Sequence, residues 1–584
     1  MKSVRHRWVG ILCALTGICA AWWACAQDAR ATRSSELSAQ WERYAAAIPK
    51  SIVDLQPFRQ ASSAALEASG GMPRRATLIN LNPAVNAWFL LELEGPQGET
   101  RAYHLGNPSP ERQRLELDPA VGGVRLVGRQ QSTSCALWNG PLEDARRSSL
   151  PDAPLCAGQL YLRNQVPGTY TNLERVTNFL RDHVWGGEKL VTLVREELFK
   201  DAFIEHGEAV KAPPGAPPAG GPEAAAVDRD FQGVDIQPVH LGIGLPVPEM
   251  ELGRWYEVSD NPGVYLSAMQ PRAVERRILS GFKDAVNTLD PIEGEALAYL
   301  VAFDLSRFEI GFELGTDHPR VGWSDRTLPS MRNERLPGPD GIDRVSPLVL
   351  NGIVSPALVA RTVAAFAGGF KREHGAFRYG ALALRNSGSH YGFMEQGTIF
   401  SKLQPGLATL LVGADGRVEM KTWSEADDAR LGNLRHARQN GVPLIESDDA
   451  HGVRPGALVN EWGPGNWSGS SEEELRTLRA GACLQERGAD RFLVYGYFST
   501  ATPSAMARVF QAYHCSYAMH LDMNALEHTY LALYSAQGGR IVVEHLIEGM
   551  EVVDRKGGGE LAPRFLAFPD DRDFFYVYRK EGEP

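Results

Sequence analysis

Apolar and polar positions along the chain change period several times. Residues 87–93 form a nearly unbroken apolar run, residues 95–98 read as a turn, and residues 101–105 alternate, which together signal a β-hairpin. Shorter strand-like segments lie at residues 124–127 and 159–162. Two stretches carry helical spacing instead. One covers residues 34–66 with a break at Pro49. The other begins at Thr171-Asn172-Leu173-Glu174, a capping box, and continues through Leu173, Val176, Leu180 and Val184. Gly186-Gly187 ends that helix and Leu190, Val194 and Leu198 open the next.

The second half is richer in strands. Residues 263–266, 296–303 and 308–314 are apolar, the last two joined by Asp304-Leu305-Ser306-Arg307. Residues 363–366 are apolar and run into Ala367-Gly368-Gly369-Phe370. Residues 379–385 are strand-like, and residues 407–412 and 417–423 flank a Gly-Ala-Asp-Gly turn, a further hairpin. Val442-Pro443-Leu444-Ile445 precedes an acidic turn at residues 446–449, and residues 491–498 are a strong strand. Thr502 with Pro503 starts a helix whose apolar face is Met506, Val509, Phe510 and Tyr513, and residues 516–521 form a buried strand that ends at Asp522. The expected fold class is α+β: a C-terminal mixed β-sheet domain with flanking helices, preceded by a smaller α+β domain.

Between the halves, residues 212–222 read APPGAPPAGGP, an extended spacer that can form neither helix interior nor ladder. With it the chain divides into residues 1–26, an export signal; 27–205, an accessory domain; 206–234, a linker; and 235–584, the domain that carries candidate chemistry. The signal reading rests on Lys2, Arg5 and Arg7, on 19 uncharged residues from Trp8 to Ala26, and on Ala24-Cys25-Ala26 before Gln27. Retention of this segment as a membrane anchor is the alternative, and it is the one route by which the chain would meet a membrane. Either way the remainder is expected in the periplasm or outside the cell.

Composition supports this frame. Across 584 residues, 43% are hydrophobic, and the net charge of −11 argues against broad nucleic-acid binding. Beyond the leader four cysteines remain. Of the three possible pairings, the local one, Cys135–Cys156 and Cys483–Cys515, keeps each bridge within one part of the chain; four reduced thiols are the alternative. There is no CxxC, HExxH, EF-hand spacing or GxSxG, so neither a metal nor any other cofactor is indicated, and the simplest serine-hydrolase arrangement is absent. His104 and His183 read as structural histidines.

Candidate chemistry collects late in the chain. Adjacent glycines at 368 and 369 let the backbone turn tightly and approach a ligand. Asp522 ends a buried strand, a common position for an acid, and His520 shares its face of that strand. Glu527 and His528 follow in a polar patch. Glu395, Glu446, Asp448 and Asp449 are further carboxylates, expected to be solvated. The order Gly-Gly-Phe turn, strand–hairpin–strand, Pro-Leu-Ile with an acidic turn, Arg479 before a strand, and Leu521-Asp522 after a helix resembles the phosphodiester glycosidase family over about residues 250–580. In that family the turn reads Asn-Gly-Gly-Phe, the arginine stands in Arg-Thr/Ser-Ala-x-Gly, and the aspartate in Leu-Asp-Gly-Gly-Gly-Ser. Here Ala367 replaces the asparagine, Ala480 and Cys483 replace the hydroxyl and the glycine, and Met523-Asn524-Ala525-Leu526 replaces the glycines and serine.

The resemblance implies hydrolysis of a sugar-1-phosphodiester or related envelope glycan. Asp522, His520 and Glu527 would be catalytic. Gly368, Gly369, Phe370, Asn524 and His528 would line the substrate, and Arg479 would clamp phosphate. A carbohydrate or glycosyl phosphate is then the expected partner. The alternative is a catalytically inactive protein that binds glycan or serves cell-envelope assembly through the same cleft.

Overall fold

A computed structural model describes residues 55–66, 73–171, 203–205, 209–211, 221–238, 240–316, 348–370, 391–448, 452–460, 476–557 and 560–582. The leader, the capping box beyond Thr171 with the helices after it, His183, most of the Pro-rich spacer, and the strand expected at 379–385 lie outside these residues. What is described is β-rich, with few and short helices.

The 87–93 and 101–105 pattern forms its hairpin. Strand Trp88–Glu94 pairs antiparallel with Thr100–Gly106, Leu91 opposite Tyr103, and these are the central strands of a six-stranded sheet. One expectation fails here. The helical pattern carried to residue 66 ends instead as a strand, Gln60–Ala65, laid antiparallel on Arg75–Asn80. Its residues are mostly exposed, so it has no apolar stripe to bury as a helix, and the open edge of the sheet satisfies its backbone. A three-stranded sheet, Gln113–Asp118, Gly123–Gly128 and Ser132–Ala136, packs against this one around Leu78, Leu91, Leu105 and Leu126.

The C-terminal part builds three larger sheets. An eight-stranded sheet holds, in adjacent positions, Ala298–Asp304, Asp490–Ala501, Thr477–Arg487, Cys515–Met523 and Pro443–Asp448. A five-stranded sheet is ordered Phe308–Glu313, Phe574–Arg579, Thr362–Ala367, Leu531–Gln537 and Arg540–His545. Another carries Phe393–Glu395, Leu434–Gln439 and the hairpin Ala408–Gly413 with Val418–Thr422. Every ladder in these three sheets is antiparallel, which corrects the expected mixed sheet. The reason lies in one insertion. Helix Pro503–Ala512, capped by Thr502, crosses from Asp490–Ala501 to Cys515–Met523. Those strands run parallel in space, but Thr477–Arg487 lies between them and pairs antiparallel with each.

Two other sequence readings change in detail. Strands Ala298–Asp304 and Phe308–Glu313 are joined by a turn, yet they enter different sheets and bend the chain between layers. The acidic turn at 446–449 is strand as far as Asp448, paired with Gly452–Pro455. Both disulfides take the local pairing, Cys135–Cys156 and Cys483–Cys515. Disulfides persist mainly in oxidising compartments, which agrees with a periplasmic or extracellular location. No described helix is long and apolar enough to cross a membrane.

Candidate active site

Three sheets bring their strand ends to one place. Thr362–Ala367 delivers Gly368, Gly369 and Phe370. Leu434–Gln439 delivers Arg438 and, just beyond, Asn440. Cys515–Met523 delivers His520 and Asp522. The segment before strand Phe574–Arg579 adds Asp570 to Asp573, and the turn before Leu531–Gln537 adds Glu527 and His528.

Asp522 is buried at 5% exposure and its two oxygens are used separately. Oδ1 accepts the Met523 amide at 2.8 Å and Oδ2 accepts Arg572 Nη1 at 2.9 Å. Burial pushes its carboxyl above the usual aspartate range, and His528 and Arg572 pull it part of the way back. Arg572 reaches His528 Nε2 through Nη2 at 2.8 Å. The other ring nitrogen, Nδ1, faces the Met523 carbonyl at 3.0 Å. Glu527 Oε1 lies 3.4 Å from that same Nε2. Asp522, Arg572, His528 and Glu527 therefore form one continuous polar chain.

The glycine turn packs against a second ion pair. Fully buried Arg438 donates through Nε to Asp573 at 2.7 Å, through Nη1 to the Gln439 carbonyl and Asn440 Oδ1, and through Nη2 to the Phe370 carbonyl at 2.7 Å. Gly369 has φ 140°, and a Cβ there would meet the Arg438 guanidinium at 2.8–3.0 Å. A Cβ on Gly368 would meet Asp573 Oδ2 at 2.6 Å. These glycines thus admit a buried arginine and its aspartate close to the main chain. Asn440 Nδ2 ties the turn to Asp522's strand by donating to the carbonyls of His520 and Leu521, both at 2.6 Å.

Arg479 stands behind this layer with its side chain wholly inside. It donates to the Ala501 carbonyl at 2.8 Å, to His520 Nε2 at 3.2 Å and to Met523 Sδ at 3.2 Å. Burial pulls it down to about 9, so it still carries its charge at neutral pH. His520 is held well below the ordinary histidine value by burial and by Arg479, and its ring lies 5.0 Å from that of Phe370. Asn524 adopts φ 79°, the left-handed conformation in which glycine is usual and asparagine is tolerated, within the segment where the family resemblance places glycines. Its Oδ1 accepts from Thr477 Oγ1 at 3.1 Å.

All nine catalytic and substrate residues expected from the sequence lie within the described residues, and the contacts above join them into one neighbourhood. Sequence reading missed Arg572, Asp573, Arg438 and Asn440. Asp570-Asp571-Arg572-Asp573 had a signal, a charge run abutting the aromatic strand Phe574–Arg579. Arg438 and Asn440 had none, because buried polar groups in a strand look like solvated ones.

No family model matches the sequence, and no curated protein matches it. Among solved structures, the catalytic domain of zebrafish N-acetylglucosamine-1-phosphodiester alpha-N-acetylglucosaminidase, auto-inhibited by its pro-peptide, aligns with 65% of this chain and 96% of its own at 10% identity and a TM-score of 0.28. A hypothetical protein from Synechocystis aligns with 89% of this chain and 97% of its own at 9% identity and a TM-score of 0.27. Both likenesses are distant.

Proposed function

We propose that this chain hydrolyses a sugar-1-phosphodiester with Asp522 as its acid/base group. The observation that carries the reading is a buried aspartate between two opposing influences: burial favours its protonated form, while Arg572 at 2.9 Å favours its charged form. A carboxyl held in that balance can take up and release a proton within one reaction cycle. Departure of a phosphate from an anomeric carbon develops oxocarbenium character, which calls for a second carboxylate; Glu527, next to His528, takes that part. Arg572, the guanidinium that bonds Asp522, takes the recognition of phosphate by exchanging its bonds to Asp522 and His528 for phosphate oxygens. Arg479 holds His520 and the Asp522 strand from behind, a positioning role.

The test is release of free sugar and phosphomonoester from a panel of sugar-1-phosphodiesters, N-acetylglucosamine-1-phosphate methyl ester among them. Turnover by the wild type that falls at least about 100-fold in Arg572→Gln supports the reading. Absence of cleavage across the panel, with the protein folded, leaves a glycan-binding protein and removes the hydrolase.

A further inference from the structure

Two buried residues that take no part in the chemistry above bond directly to the residues that do. Arg564 and Asp570 are each 2% exposed and form a bidentate ion pair, Nε to Oδ2 at 2.7 Å and Nη2 to Oδ1 at 3.0 Å. Each also grips the main chain of an active-site residue. Arg564 donates through Nη1 to the Glu527 carbonyl at 2.7 Å, and Asp570 accepts the Arg572 amide on Oδ1 at 3.0 Å. The pair therefore couples the turn that carries Glu527 and His528 to the segment that carries Arg572.

The pair is itself fixed. Asp570 donates its amide to the Gly352 carbonyl at 2.9 Å, and its carbonyl accepts the Thr316 amide at 3.0 Å. The Arg564 amide donates to Asp554 Oδ1 at 3.0 Å, and Oδ2 of that aspartate lies 2.9 Å from His545 Nε2. Immediately after Arg564, Phe565 takes φ 68°, a left-handed conformation that a bulky side chain adopts only under constraint. Its ring stacks on Phe574 with centroids 4.0 Å apart, which supplies that constraint.

Such a brace answers a need of the site. To receive phosphate, the Arg572 side chain must give up Asp522 and His528, so whatever keeps the residue in place meanwhile has to act on its main chain. Asp570 does so. Glu527 must likewise keep its carboxylate beside His528 while charge develops on the sugar, and Arg564 holds it by its carbonyl. We infer that Arg564 and Asp570 are positioning residues of the active site, setting Glu527 and Arg572 at one fixed separation; the assignment rests on the proposed hydrolysis for its purpose, yet it can be read without turnover.

Two full-length variants test it, Asp570→Asn and Arg564→Lys, the second keeping a cation beside Asp570 should the first fail to fold. Kinetics on the same phosphodiester panel read the brace through the reaction. The ring NMR resonances of His528, assigned by their absence from His528→Gln, read it without one, because His528 bonds Arg572 and neighbours Glu527. The folded variants are expected to lose at least about tenfold in kcat/KM and to move the His528 resonances. Those of His514, which precedes the far end of the Asp522 strand, are expected to stay in place. A pair that served stability alone would lower the melting temperature and move neither readout. If the wild type cleaves nothing in the panel, the hydrolase reading falls and the His528 resonances alone decide. Folded variants that leave those resonances at their wild-type positions, or that keep the wild-type kcat/KM, would overturn the brace.

Discussion

Two buried carboxyl centres in this protein obey opposite rules. At Asp522 both oxygens have donors, one from the main chain and one from Arg572, and the charge is matched within 2.9 Å. At Glu313 and Glu395 two carboxyls share a hydrogen bond, the nearest guanidinium, that of Arg163, is 3.6 Å away, and donors nearby have no partner. Glu395 is fully buried, against the expectation that it is solvated. In the first centre the chain supplies a donor to each carboxyl oxygen; in the second, Glu313 Oε2 and Glu395 Oε1 are buried without one. Burial raises the carboxyl in both, so a raised value alone does not identify a site. What separates the two is which hydrogen bonds remain to be made.

The largest effect that would break this contrast comes from Arg438. Asp573→Ala strips a fully buried guanidinium of its carboxylate and is expected to cost about 3–5 kcal/mol in urea unfolding. Glu395→Gln is expected to stay within about 1 kcal/mol, because the amide oxygen still accepts from Leu314 and from Glu313, which burial keeps protonated. Equal losses in the two variants would erase the distinction. Next is the Cys483–Cys515 bridge, which joins the Arg479 strand to the Asp522 strand. Its removal as Cys483→Ala/Cys515→Ala is expected to cost about 3 kcal/mol, read from the same unfolding curves.

Glu205 extends the comparison to a third buried carboxyl, which burial pushes up to about 8. A raised value means the folded state favours the proton. Its contribution is therefore complete below pH ~4.5, the unfolded value, and is lost as pH rises towards 8. Stability measured between those limits should fall for the wild type relative to Glu205→Gln, by on the order of a few kcal/mol at the upper end. A constant difference would show that Glu205 does not titrate in that window. A smaller loss is expected at Gly369→Ala, about 1–3 kcal/mol in urea unfolding, from a positive φ and crowding against Arg438.

The elements legible in the sequence were those with a local signature. The 88–106 hairpin had its turn and alternation, the 503–512 helix had Thr502 and Pro503, and both disulfides followed from keeping each bridge local. Gly368, Gly369 and Asp522 were legible because each ends an apolar run, His520 because it shares the Asp522 face of the strand, and Glu527 and His528 because they form a polar patch soon after it. Arg438, Asn440 and Glu395 were not, because nothing adjacent in sequence distinguishes a buried ion pair from a solvated one.

On the proposed reading, Asp522 moves the proton during cleavage of a sugar-1-phosphodiester. It is tested most directly by the pH dependence of kcat/KM for wild type and Asp522→Asn, with melting curves confirming that both are folded. The account expects a loss of at least about 100-fold, together with disappearance of an acidic limb that the wild type shows above the ordinary aspartate range. A folded Asp522→Asn protein that keeps the wild-type rate and the wild-type pH profile would contradict it.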